Sequence, residues 1–172
     1  MLLYKITSAL LEYPDEQLKS DLSEIAELMQ DEQIASNEER ATLQKFVQWL
    51  DQMDMTELQA SYVKTFDMTP EHSLHLTHHL FGDDRGRGPA LIDLTEYYRS
   101  YGMEVEEGEL PDYLPLILEF VASLDEMEAK VFLGQTVKVL TQLATNLETA
   151  ASPYAPLIRM IEKRGQLVPI SA

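Results

Sequence analysis

The 172-residue sequence contains no cysteine. That absence excludes disulfides, thiolate metal sites and cysteine nucleophiles, and it suits a reducing compartment. Basic residues are scarce: 13 lysines and arginines stand against 30 aspartates and glutamates, for a formal charge of −17. A surface of this sign repels phosphate backbones and anionic lipid, which argues against nucleic-acid binding and membrane association. It attracts and steers a basic partner. Long apolar runs are missing as well. The longest are a handful of residues, such as "LPLIL", against the roughly 20 needed to span a bilayer. The first residues, "MLLYKITSALLEYPDE", have no basic region leading into an uninterrupted apolar core, so they do not read as a secretory signal. Sustained period-two alternation and Asn-Gly or Asp-Gly turns are also absent, which removes the main signals of β-structure.

What remains is helical. Leu22, Ile25, Ala26 and Met29 follow i, i+3, i+4, i+7, as do Leu43, Phe46, Val47 and Leu50, and again Leu114, Ile117, Leu118 and Val121. With 45% hydrophobic residues and this length, the chain is expected to form one domain over 1–172. That domain is an all-α bundle of about eight helices, with 165–172 as a C-terminal extension. Local chemistry marks the boundaries. Pro14 separates a first helix from a second capped by Asp15, and Ser36 and Glu39 have capping-box spacing. A fourth helix opens at Asp54 and reaches about Phe66. Gly82 suits the C′ position of a short helix through the histidines, and Gly102 ends a helix that begins near Pro89. Asp112 is expected to cap the following helix, whose first turn accommodates Pro115.

All four histidines fall between His72 and His79. On a helix, His72, His75 and His79 share one side, and a metal-binding protein or metal-dependent hydrolase built on them is the alternative reading. The H-E-x-x-H arrangement that would add a general base is absent. The competing structural reading is an amphipathic helix with Leu74, Leu76 and Leu80 facing the core. The glycines that follow, Gly82, Gly86 and Gly88, match neither a P-loop nor a dinucleotide fingerprint, and no strand precedes them. Arg85 and Arg87 are expected to pair with Asp83, Asp84 or Asp93 and pin this turn. No nucleophile elbow occurs, and no catalytic residue is assigned. Tyr62 and Phe66 at i, i+4, the tyrosines at 97, 98 and 101, and Tyr113 either fill the core or, beside so many carboxylates, line a groove for a basic amphipathic helix.

Four stretches, "SALLEYPDEQL", "YVKTF", "SLHLTHHLFGDDRGRGPALIDL" and "ELPDYLPLILEF", resemble in their order the NarJ-type respiratory nitrate reductase assembly chaperones of the TorD/DmsD-like group. The resemblance covers roughly residues 3–125. It implies an all-helical, cytoplasmic, non-enzymatic chaperone without a cofactor of its own. Its implied partner is the apo catalytic, molybdenum-containing subunit of a membrane-bound nitrate reductase, held through its N-terminal segment during molybdenum-cofactor insertion and iron–sulfur assembly, before membrane docking. It further implies contact with molybdenum-cofactor biosynthesis proteins. The family's glutamate-histidine-x-x-glycine step corresponds to His78, His79 and Gly82, with His78 standing where the family has an acid. Arg85, Arg87 and Gly88 resemble its arginine-rich turn and Asp93 the acid after it. Leu110, Pro111, Asp112, Leu114 and Pro115 resemble its "LPD-x-LP" signature, and Glu119 its later acid. Relatives continue into an acidic tail, whereas this sequence ends in "GQLVPISA". The expected client groove comprises Tyr62, Phe66, His79, Tyr97, Tyr101 and Tyr113, rimmed by Asp67, Asp112 and Glu119. Gly82, Arg85, Arg87, Gly88, Asp93, Pro111 and Pro115 shape the adjoining loops or meet the client.

Overall fold

Helix starts follow the local capping chemistry. In the computed structural model, which describes residues 1–166, the Asp15 carboxylate accepts the Leu18 amide at 2.8 Å and opens α2 (Glu16–Leu28) after α1 (Leu2–Leu11). Ser36 and Glu39 form the expected reciprocal capping box at the head of α3 (Asn37–Gln52). Asp54 accepts the Thr56 amide to begin α4 (Met55–Tyr62), and the helix then widens into a π turn, Val63–Asp67. Such widened turns are enriched at functional sites. A 3₁₀ turn, Pro70–His72, leads to the short α5 (Leu76–Phe81). Beyond it lie α6 (Arg87–Ser100), α7 (Leu114–Ser123), α8 (Glu126–Thr149) and α9 (Ala155–Gln166). The described residues thus form nine α-helices and no strand.

Three boundaries depart from the sequence reading. Helix α6 begins at Arg87, so Pro89 sits inside its first turn, where no intrahelical donor is lost. Gly165 and Gln166, expected in an extension, are the last residues of α9; residues 167–172 of that extension lie outside the described residues. Asp112 does not cap α7. The N-cap position belongs to Tyr113, which offers no side-chain cap, and the Asp112 side chain serves another helix.

The core is one continuous apolar cluster. Helix α7, "LPLILEFVAS", is buried on nearly every side, as its almost unbroken apolar sequence demands. It lies against α1, whose Ser8 hydroxyl donates to the Pro115 carbonyl at 2.7 Å. The most extensive helix pair is α8 with α9. There the backbones approach so closely that a β-carbon on Gly165 would stand 2.6 Å from Val137 Cγ2 and 2.9 Å from the Leu133 carbonyl oxygen. An aromatic chain links Trp49, Phe46, Tyr154, Phe66 and Tyr62 through edge contacts with centroids 4.8–5.6 Å apart. Gly82, at φ +54°, ends α5 with its amide on the His78 carbonyl.

Gly165→Ala tests the α8–α9 contact. Alanine gains up to about 1 kcal/mol of helix propensity, but the rigid Leu133 backbone cannot yield, and overpacking costs about 1–3 kcal/mol. Urea unfolding is expected to show a net loss of stability with an unchanged m-value; a net gain would show that the helices separate without cost.

Candidate functional site

The site is built around a carboxylate with no exposure to solvent. Asp112 follows Pro111 in the connector before α7 and is fully buried. Its Oδ2 accepts the Thr77 amide at 3.0 Å and the Thr77 hydroxyl at 2.5 Å. It therefore caps the start of α5 from a different part of the chain, satisfying a donor that the helix leaves free. Arg87 Nε donates to Thr77 Oγ1 at 3.0 Å, and Arg87 Nη2 lies 3.6 Å from Asp112 Oδ2. His75 Nδ1 stands 3.4 Å from Asp112 Oδ1, and neither atom has a well-aligned hydrogen bond. Burial alone would push the Asp112 carboxyl upward. His75 and the hydroxyl and amide of Thr77 outweigh it and hold the group below the usual carboxylate range.

Two backbone hydrogen bonds reinforce this junction. The Leu76 amide donates to the Asp112 carbonyl at 3.0 Å and the Leu114 amide to the Leu74 carbonyl at 2.8 Å, pairing His75 with Tyr113 as an isolated antiparallel bridge. Their rings lie 5.2 Å apart. The Tyr98 hydroxyl, from α6, donates to the Pro111 carbonyl at 2.7 Å. Segments distant in sequence thus meet at one point.

The paired segments form one wall of a cleft of about 540 Å³. Tyr62 and Phe66, both buried, line it together with Tyr13, His75 and Tyr113. Tyr62 donates to the Leu11 carbonyl and receives the Tyr113 hydroxyl, each at 2.8 Å. Tyr13, half exposed at the mouth, meets the Tyr62 ring edge-on at 5.6 Å. Asp67 and Glu109 supply negative charge along the lining, with Leu110 as an apolar lip. Burial raises the Tyr113 hydroxyl first, and the charges of Glu12, Asp67 and Glu109 push in the same direction. Neither lysine nor arginine lines the cleft.

The structure therefore unites only part of the expected groove. Tyr62, Phe66, Asp67 and Tyr113 come together. Asp112 is no rim residue; it lies beneath the wall. Glu119 is exposed beside Lys5, Glu12 and Met103 in a separate depression. His79 is half-buried and places Nε2 2.7 Å from the Ser73 carbonyl, and Tyr97 and Tyr101 occupy another face with Phe120 and Phe132. The cleft also includes Tyr13, His75, Glu109 and Leu110, none of which belongs to the expected groove. Tyr13 had a legible signal, an aromatic at a helix end before Pro14; Glu109 looked like any acid in an acidic connector.

The histidines do not share one helix side. His72 sits in the 3₁₀ turn with Nδ1 3.0 Å from the Thr65 carbonyl, His75 precedes α5, and His79 lies within it. Among the described residues no group of three His, Asp or Glu side chains is arranged to hold a metal. Leu80, expected in the core, is 60% exposed; α5 begins at Leu76, so Leu74 lies before the helix and the three leucines do not share one helical face. Arg87 pairs with Asp112 and not with Asp83, Asp84 or Asp93. Asp84 instead accepts the Gly86 amide at 2.7 Å, and Arg85 and Asp93 are exposed. A β-carbon at Gly88 would meet nothing within 4 Å, so sterics do not require glycine there. Pro111 and Pro115 are buried and present their carbonyls to Tyr98 and Ser8.

Acid should dismantle this site in two stages. Burial, ahead of the charge of His78, lowers the His79 pKa against the opposing pull of the Ser73 carbonyl. The unfolded chain then binds a proton more readily, and stability falls as pH drops through the ordinary histidine value of about 6.5. Asp112, also held low, stabilises the fold above the ordinary aspartate value of about 3.9 and loses that contribution below it. Asp112→Asn is expected to cost about 1.5–3 kcal/mol at neutral pH, the scale of hydrogen bonds to a charged group. In urea unfolding across pH it should shrink the lower acid limb, to which Glu39, held low by Arg164, also contributes, and keep the upper; an unchanged lower limb would contradict this role.

Residues 15–159 match the family model described as "Nitrate reductase delta subunit". The chain is 36% identical over 158 residues to the nitrate reductase molybdenum cofactor assembly chaperone NarJ of Escherichia coli (strain K12), covering 92% of this chain and 67% of that one. It is 32% identical over 158 residues to the probable nitrate reductase molybdenum cofactor assembly chaperone NarJ of Bacillus subtilis (strain 168), covering 92% of this chain and 85% of the relative. To the probable assembly chaperone NarW of Escherichia coli (strain K12) it is 31% identical over 157 residues, with 91% and 65% covered. This all-helical chain matches along most of its length and belongs to the nitrate reductase delta subunit family of NarJ-type assembly chaperones.

Proposed function

We propose that this protein is a system-specific cytoplasmic chaperone. It binds the N-terminal segment of the apo catalytic subunit of a membrane-bound nitrate reductase and holds that subunit for molybdenum-cofactor insertion and iron–sulfur assembly before membrane docking. It performs no catalysis. Molybdenum-cofactor biosynthesis proteins would meet the client while it is held. The relatives bear the name of molybdenum cofactor assembly chaperone for nitrate reductase, which supplies the client class.

The observation that carries the client-binding reading is the cleft bounded by Tyr13, Tyr62, Phe66 and Tyr113, with Asp67 and Glu109 in its lining and no basic side chain. Aromatic walls anchored on the core provide contact area at small entropic cost. Unpaired carboxylates at their edge favour lysine or arginine next to the apolar residues of a bound helix. The floor is buried and hydrogen-bonded, so a client is read mainly at the mouth, by Tyr13, Leu110 and the acids.

Calorimetric titration with the N-terminal peptide of the cognate nitrate reductase catalytic subunit tests the reading. Saturable binding is expected, weakening as salt screens the rim. Tyr13→Ala should cost about 1–3 kcal/mol of affinity, the range of an interface anchor. Glu109→Lys should weaken binding most at low salt and little at high salt. Absence of both heat and chemical-shift change at low salt would sink the proposal.

A further inference from the structure

Tyr97 and Tyr101, expected in the client groove, stand apart from the cleft, whose lining includes no residue of α6. Tyr97 stacks on Phe132 of α8 at 5.8 Å with the planes 9° apart and meets Phe120 of α7 edge-on at 5.6 Å. Tyr101 meets Phe120 edge-on at 5.4 Å. Both rings are thereby fixed on the core, yet they remain 41% and 44% exposed. On α8, Val131 immediately precedes Phe132 and is 48% exposed, and Met127 immediately precedes Glu128, the acceptor of the Tyr101 hydroxyl, and is 67% exposed. Large apolar side chains held in place while open to water are the usual composition of an interface anchor.

The charges around this face are one-sided. Asp93 precedes Tyr97 by four residues, as Tyr97 precedes Tyr101, so Asp93 and Tyr97 share one line of α6 and Tyr101, the residue that closes the helix, follows them. Glu128 closes the other end, accepting the Tyr101 hydroxyl at 3.2 Å. The nearby cations are already taken: Arg99 lies 3.4 Å from Glu104 and Lys130 2.7 Å from Glu126. Asp93 has no ion-pair partner among the described residues, and Glu128 meets only the Tyr101 hydroxyl and the Asp125 amide. A second copy of the chain would set these carboxylates against themselves across a twofold axis, and like-charge juxtaposition disfavours that pairing. Anionic lipid is disfavoured for the same reason.

We propose that the α6–α8 face formed by Asp93, Tyr97, Tyr101, Met127, Glu128 and Val131 docks a second basic amphipathic protein segment, one that places aliphatic side chains on the two tyrosines with a cation at each end. This docking is independent of the cleft. Tyr97 and Tyr101 supply rigid contact area, Val131 and Met127 extend it along α8, and Asp93 and Glu128 set orientation.

Methyl NMR of the full chain, titrated with a synthetic amphipathic peptide of leucine and lysine, tests this. Met127 and Val131 methyls report the α6–α8 face; Leu74 and Leu110 methyls report the cleft. Saturable shifts of Met127 and Val131 are expected. Asp93→Lys with Val131→Lys, both at exposed positions, should weaken that saturation about tenfold, the scale of a reversed rim charge plus a lost apolar contact, and leave the cleft shifts in place. Asp93→Lys alone provides the same reading without altering α8. Tyr13→Ala with Glu109→Lys should do the reverse, so failure at one surface is distinguishable from failure at the other. Shifts confined to the cleft, α6–α8 shifts that both Asp93 variants leave unchanged, or a concentration-dependent Met127 shift with a doubled sedimenting mass would overturn the proposal.

Discussion

The Asp112 carboxylate is the constraint on which the functional half of the structure depends. A charge with no access to water is tolerated only when its lone pairs are met by donors and cations. Asp112 meets Thr77 twice, Arg87 once and the imidazole of His75. Thr77 and His75 belong to the start of α5, where His75 also forms part of the cleft wall, and Arg87 belongs to the start of α6. One carboxylate therefore ties two segments to the connector before α7. The backbone bridge between His75 and Tyr113 completes the junction, and Gly82 lets the chain leave α5 toward Arg87.

The protein keeps this buried charge neutralised while leaving most surface acids unpaired. The cleft shows the outcome in miniature. Its floor is a rigid run of aromatic rings reaching from Tyr62 through Phe66 and Tyr154 toward Trp49, and its border carries Asp67 and Glu109. Burial and the charges of Glu119, Glu109 and Asp15 raise the Glu12 carboxyl above its usual range, a local sign of crowded negative charge. A cation arriving on a partner relieves that crowding. The large net charge is thus placed where apolar contact area is also available, beyond its general effect on solubility.

Most of the fold was legible because its determinants are local. The carboxylate of Asp15, the pairing of Ser36 with Glu39, and the positive φ of Gly82 and Gly102 act within a few residues of the positions they terminate. Apolar periodicity placed the helices these signals bound. The candidate site was legible in parts. Tyr62, Phe66, Asp67 and Tyr113 do line one cleft, whereas sequence proximity makes Asp112 look like the cap of its own helix when it serves α5. The spacing of the three histidines suits one helical face only if the helix is continuous, and the stretch breaks at Ser73. The places of Tyr13 and His75 in the cleft are not legible in the sequence, because their significance lies in rings and carboxylates brought to them from elsewhere.

The amino-acid sequence by itself determined the helical class, most helix ends, the acidic surface and, through its motifs, the family to which the chain belongs. These follow from short-range hydrogen bonding, periodic burial and composition, all of which can be read along one dimension. Only the tertiary structure decided that Asp112 caps α5, that Arg87 is its cation, and that the tyrosines divide between a cleft and a separate α6–α8 face. Those outcomes depend on which buried polar group finds which donor across tens of residues. That choice is made by the simultaneous packing of α5, α6 and α7 and is not encoded in the spacing of any one segment.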